Sequence, residues 1–239
     1  MRARDVGRAV ATYAWTGAAS ALALGGQAAG QGAEGLERHT LRWARVLSRL
    51  WRLELSVEGL SHYRENTPTV LVANHQSYVD VVALFLTIPE MPVFLAKREL
   101  AQVPLFSRVM RTRGDVFIDR GRHDAATSTI EDTARLLKPG APLLVFPEGT
   151  RAHRAEVGAF KKGAFHLAKQ ARAAIQPVGI HGSLEAWPRE SPAPRGGPVR
   201  IRFGPSVPAE QVQASPIDEL VLRLRAEVAR LADLPLFAG

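Results

Sequence analysis

The sequence predicts an α/β fold: a mixed, largely parallel sheet flanked by helices, with an N-terminal membrane-associated helical pair in front of it. Three observations carry that prediction. From Thr69 onward, short β-branched or apolar runs alternate with helical periodicity, the pattern of strands joined by crossover helices. Three polar clusters each follow one of those runs, where loops at strand ends would put them. Ahead of them lie an uncharged alanine-rich stretch and an arginine-striped amphipathic one.

Taking the chain in order, residues 9–33 carry no charge and follow Arg2, Arg4 and Arg8. Their apolar part, Ala9 to Leu24, is diluted by Thr12, Thr16, Gly17 and Ser20. It falls short of the roughly 20 strongly apolar residues that a spanning helix needs, so it reads as a helix lying on a membrane. A cleaved signal peptide is the other reading. Gly30 to Gly35 matches G-x-G-x-x-G, yet no strand precedes it, so the dinucleotide reading fails and the stretch reads as a linker.

Residues 37–53 place Arg38, Arg42, Arg45, Arg49 and Arg52 on one helical face and Trp43, Val46, Leu47, Leu50 and Trp51 on another. Such a helix either lies on anionic lipid or packs on its own domain with its arginines in water. Residues 1–57 are thus expected to form the membrane-association segment, and 58–239 the α/β domain. Within the latter, strands are predicted at 69–73, 93–96, 115–118, 142–146, 176–180 and 199–203. Helices are predicted at 78–87, 99–112, 123–137, 158–173 and 216–233.

Composition narrows the chemistry. A chain of 239 residues can bury one sizeable core. The absence of cysteine removes disulfides, zinc-thiolate sites and a thiolate nucleophile. A formal charge of +8 and a pI near 10.5 favour anionic partners, without choosing among nucleic acid, anionic lipid, phosphate esters or an acidic carrier protein.

The first polar cluster, Asn74 to Asp80, has four residues between His75 and Asp80. On one regular helix these two would point to different sides. With His75 in a turn and Asp80 in the first turn of a helix capped by Ser77, the carboxylate can reach the imidazole, fix its orientation and leave the other nitrogen as proton acceptor. Alternatively, Asp80 only satisfies backbone amides at the helix start. The second cluster, Gly114 to Arg120, delivers Arg120 into a loop. The third, Phe146 to Arg151, delivers Arg151 beside Gly149, whose missing side chain lets backbone approach a ligand. An arginine fork suits phosphate or carboxylate, and ion-paired surface turns are the commoner use of such residues.

These segments carry a resemblance. NHQSYVD (74–80), AKREL (96–100), GDVFIDR (114–120), FPEGTR (146–151), FKKGAFHLA (160–168) and IQPVGI (175–180) together resemble the glycerolipid acyltransferase family, in particular its bacterial 1-acylglycerol-3-phosphate acyltransferases. The resemblance implies that His75 takes the proton of a glycerol hydroxyl and that Asp80 positions His75. It further implies that Lys97, Arg120 and Arg151 grip the acceptor's phosphate, that Glu148, Gly149 and Thr150 shape that site, and that Pro177 belongs to the acyl-chain region. Lys161 and Lys162 are secondary candidates for phosphate or carrier contact.

By the same resemblance no metal or tightly bound cofactor takes part, and acyl-CoA or acyl-carrier protein is the co-substrate. The partners implied are lysophosphatidate and anionic membrane lipid, at the cytoplasmic face of the inner membrane, with no nucleic acid. The chain departs from the family pattern at Ala152, where serine is frequent, and in the following loop. An acyltransferase acting on another lysolipid, such as lyso-ornithine lipid, would retain the same motifs. A non-catalytic basic protein binding membrane or nucleic acid would explain the charge but not the His-Asp cluster. A hydrolase is disfavoured by the lack of G-x-S-x-G.

Overall fold

The protein is described by a computed structural model covering residues 3–118, 133, 137 and 139–237, with backbone alone for Ala3, Arg4 and Lys97. The helix expected at 123–137 and the site residue Arg120 therefore lie outside the described residues.

Two helices open the chain, α1 (Ala3–Ala28) and α2 (Gly32–Leu50). The supposed linker is only a turn, because Gly32 to Gly35 already belong to α2. The helices are joined by indole N–H groups that donate to threonine hydroxyls: Trp51 Nε1 to Thr12 Oγ1 at 2.9 Å and Trp43 Nε1 to Thr16 Oγ1 at 3.2 Å. Threonines that dilute the apolar character of α1 thus serve as its docking points. Among the described residues no helix is long and apolar enough to cross a membrane.

The sheet has seven strands: β1 (Leu53–Glu58), β2 (Thr69–Ala73), β3 (Val93–Lys97), β4 (Val116–Ile118), β5 (Leu143–Val145), β6 (Ala174–His181) and β7 (Gly197–Phe203). Their spatial order is β1-β7-β6-β2-β5-β3-β4, and every pairing is parallel except β6 with β7. The mixed, largely parallel α/β architecture is as predicted.

Strand β1 is the element that the sequence reading missed. Its residues continue the spacing of α2, and the break comes at Arg52, which adopts a left-handed φ of 56° and turns the chain into the sheet beside β7. The remaining strands lie within two residues of expectation.

Between the strands run α3 (Val79–Thr87), α4 (Phe106–Arg113), α5 (Gly163–Gln170) and α6 (Ser183–Ala186), and after β7 come α7 (Ala209–Ala214) and α8 (Ile217–Ala232). The helix expected at 99–112 is broken at Pro104 and Leu105, which divide a 3₁₀ turn at Arg98–Gln102 from α4. The helix expected at 158–173 starts only at Gly163, because backbone N–H groups of Gly158 and Lys161 are drawn to Glu148 and Pro147 instead.

β2 shows why its sequence is an unbroken apolar run. Leu71 and Ala73 face a core formed with α2, α3 and β7, and Val70 and Val72 face a second core formed with α5 and α8. A strand covered on both faces has no polar alternation to display. Removing a fully buried leucine such as Leu71 or Leu144 would cost about 2–5 kcal/mol.

Candidate active site

Because β2, β3, β4, β5 and β6 run in one direction, their C-terminal ends share one edge of the sheet. His75 follows β2, the Phe146–Arg151 turn follows β5, Lys97 ends β3, and β4 ends there at Ile118. In open α/β sheets this carboxyl edge is where ligand sites form.

At the end of β2 the buried Asn74 exchanges two hydrogen bonds with Ile180, donating from Nδ2 to its carbonyl and accepting its N–H on Oδ1, each at 2.8 Å. This holds β2 to β6 past the last ladder pair and fixes where the next residue leaves the sheet. His75 Nδ1 then stands 2.8 Å from Asp80 Oδ2. The same oxygen accepts the backbone N–H groups of Gln76 and Ser77 at 2.8 and 2.9 Å. Both sequence readings of Asp80 therefore hold at once: it satisfies the turn's amides and it holds the imidazole.

A carboxylate only accepts, so Nδ1 carries the proton and Nε2 keeps a free lone pair. Asp80 is fully buried while the His75 side chain is 17% exposed, so the base is reachable and its orienting group is not. The ring lies flat on Phe146, with centroids 4.0 Å apart and planes at 13°. Ser77 differs from expectation. Helix α3 begins at Val79, and although Ser77 Oγ accepts the Val79 N–H at 3.3 Å, its hydroxyl donates to the Trp187 carbonyl at 2.9 Å.

The third cluster clamps the first. Glu148 Oε1 accepts the His75 N–H at 2.8 Å, Oε2 accepts the Gly158 N–H at 2.9 Å, and the Ala152 N–H donates to the His75 carbonyl at 2.7 Å. Position 152 contributes backbone, so alanine serves there as well as serine. Burial pushes the Glu148 carboxyl up from 4.5 to about 7, against the two N–H bonds, with the Asp80 charge adding to the rise. Arg225 of α8 ties down the far side, donating to the carbonyls of Gly158 and Val157 at 2.7 and 2.9 Å.

Gly149 turns the chain at φ 76°, and a side chain on it would meet Lys161 at 3.1 Å. Thr150 is exposed, and Arg151 lays its guanidinium 3.9 Å over the Tyr78 ring. Lys162, by contrast, pairs with Asp218.

The structure thus joins His75, Asp80 and Glu148 through hydrogen bonds and sets Gly149, Thr150 and Arg151 on the same turn. Pro177 is buried within β6 opposite Val72, with its carbonyl accepting the Gly204 N–H. Among residues that sequence reasoning did not select, Phe146 lies under the His75 ring, Tyr78 carries Arg151, and Gly158 donates its N–H to Glu148. Phe146 and Tyr78 stood inside the quoted motifs; Gly158 gave no signal, since its part is played by an amide.

A family model described as Acyltransferase matches residues 54–181. The chain is 33% identical over 177 residues to 1-acyl-sn-glycerol-3-phosphate acyltransferase alpha of Bos taurus, covering 74% of this chain and 62% of the relative. It is 31% identical over 173 residues to 1-acyl-sn-glycerol-3-phosphate acyltransferase of Cocos nucifera, covering 72% and 56% respectively. The chain therefore spans about three fifths of the length of these curated relatives. The fold matches the crystal structure of the 1-acyl-sn-glycerophosphate (LPA) acyltransferase, PlsC, from Thermotoga maritima, with a TM-score of 0.79 and 22% identity over 96% of this chain and 95% of the other.

Proposed function

Since the chain belongs to the acyltransferase family, we propose that it moves a fatty acyl group from an acyl thioester to the free sn-2 hydroxyl of 1-acylglycerol 3-phosphate, giving phosphatidate for phospholipid synthesis. The observation that carries this reading is the 2.8 Å contact between His75 Nδ1 and buried Asp80, which leaves Nε2 of an accessible ring as the base. The names of the relatives support the choice of acceptor.

The geometry supports the following steps. Nε2 takes the hydroxyl proton as the oxygen attacks the thioester carbonyl, and Asp80 stabilises the imidazolium that forms. The tetrahedral intermediate collapses with loss of the thiolate, which receives the proton back from Nε2. Hydroxyl and thioester become ester and thiol, with no other reactant consumed. Base catalysis of this kind supplies about 10²- to 10⁴-fold, and positioning supplies much of the rest.

Arg151 grips the acceptor's phosphate, joined by Lys97 and Arg120 on the family pattern. Glu148, Gly149 and Thr150 shape the turn that presents Arg151, and Pro177 belongs to the acyl-chain region. The donor is acyl-CoA or acyl-carrier protein, and no bound cofactor enters the scheme.

The protein acts as a peripheral or monotopic enzyme on the cytoplasmic face of the cell membrane. Its support is a face of α1 bearing exposed Val6, Val10 and Tyr13, and exposed arginines along α2. Acyl transfer to lysophosphatidate in vesicles, with each donor, tests the reading directly. Transfer by the wild type that His75→Ala abolishes is expected; a folded wild type inactive with both donors would refute the acceptor.

A further inference from the structure

The loop between α6 and β7 carries an arginine that lies outside every family motif. Arg189 is half-buried, its Nη1 donates to the Arg151 carbonyl, and it lies 3.5 Å from Thr150 Oγ1. Its Nε and Nη2 donate to no described residue, and no described carboxylate pairs with it, although Glu190 is its chain neighbour.

Arg151 is in the same condition: its guanidinium rests on the Tyr78 ring and donates to no described residue. Lys161 Nζ, also without a described carboxylate, lies 3.1 Å from where a Gly149 side chain would begin. Other arginines that reach into the fold or across its surface are neutralised. Arg113 pairs with Asp115, Arg202 with Glu58 and Asp233, and Arg230 with Glu227. Three cations gathered around one turn, with no described carboxylate paired to them, repel one another until an anion enters, and a guanidinium with donors to spare offers a phosphate a bidentate grip.

We propose that Arg189 is a further binding residue for the phosphate head group of the acyl acceptor, acting beside Arg151. The inference deepens the acceptor reading above and rests on it. Arg189 reaches the site because β6 ends at the same sheet edge as β2 and β5, and α6 then carries the chain back over the turn.

The test is Arg189→Gln, whose amide can still donate to the Arg151 carbonyl but carries no charge. The expected result is a KM for 1-acylglycerol 3-phosphate raised about tenfold or more, with the KM for the acyl donor and the melting temperature unchanged. An unchanged acceptor KM, or a rise in both KM values together with a lower melting temperature, would overturn the proposal by making Arg189 a strut of the turn.

A second arm does not depend on turnover. Glycerol 3-phosphate should raise the melting temperature of the wild type more than that of Arg189→Gln, and inorganic phosphate should do so less. Equal shifts in the two proteins, or none, count against the proposal. A wild type that binds glycerol 3-phosphate through Arg189 yet transfers no acyl group would sink the acyl-transfer reading and leave the anion site standing.

Discussion

Glu148 Oε1 accepts the backbone N–H of His75 at 2.8 Å, so the base is held by a carboxylate that does not touch its ring. Its other oxygen reaches Gly158, and the result is one buried side chain joining the ends of β2 and β5 to the segment before α5. Burial raises the Glu148 carboxyl from 4.5 to about 7.

A pH dependence of stability follows. Unfolded, the group loses its proton near 4.5; folded, near 7. Between those values the native state binds the proton more tightly, so this contribution to stability is fully present below about pH 4.5 and is lost as pH rises through about 7. Glu148→Gln has no proton to lose. Melting temperatures recorded from pH 4 to pH 9 should fall across that window in the wild type and lack this fall in the variant. Parallel curves would show that Glu148 does not titrate there. The variant also loses one of the two N–H clips, and kcat should drop about tenfold or more.

Asp80→Asn tests the charge behind the base. An asparagine oxygen in the place of Oδ2 can still accept the Gln76 and Ser77 amides and the Nδ1 proton, but it lacks the charge that stabilises the imidazolium formed in the reaction. Turnover should fall by about 10²- to 10⁴-fold with the fold retained. Because the two residues act as a unit, His75→Ala combined with Asp80→Asn should be no slower than the worse single variant. Additive losses would mean that Asp80 acts independently of His75.

Much of this was readable from the chain, and the gaps have physical causes. His75, Asp80, Glu148 and Arg151 stand in short segments that carry their own strand, turn and helix signals, so local sequence was enough to group them. Strand β1 was hidden because Leu53 and Leu55 extend the apolar spacing of α2, and only the backbone of Arg52 reveals the break. The clip between Glu148 and Gly158 was invisible because an amide leaves no trace in residue type. Arg189 was equally silent, since nothing local relates the loop before β7 to the turn after β5; the parallel order of β2, β5 and β6 brings them together.

Tyr78 should matter through its ring alone. The Arg151 guanidinium lies 3.9 Å above it, and Tyr78 is half-exposed, so the attraction is worth about 0.5–1 kcal/mol. Tyr78→Phe keeps the ring and should leave the acceptor KM unchanged. Tyr78→Ala releases Arg151 and should raise that KM about two- to fivefold while sparing the donor KM. Equal effects from both variants would point to the hydroxyl instead.

Two faces of the N-terminal pair should bind membranes by different forces, and salt separates them. On α1, Val10 and Tyr13 are 61% and 68% exposed and lie on one helical face with Val6. Each large apolar side chain moved out of water contributes about 1.5–3 kcal/mol when fully buried, and less at an interface. Val10→Ser with Tyr13→Ser should therefore weaken vesicle binding about tenfold or more at every ionic strength. On α2, Arg42, Arg45 and Arg49 are exposed and pair with no described residue. Near an anionic surface each contributes about 1 kcal/mol, an attraction that fades within a Debye length. Replacing these three with glutamine should weaken binding to anionic vesicles at low salt and change little at high salt or on neutral vesicles. Sedimentation of all three proteins with both vesicle types, over a salt series, reads out the two forces together. If the serine variant bound as well as the wild type, the exposed face of α1 would not be the part that enters the lipid.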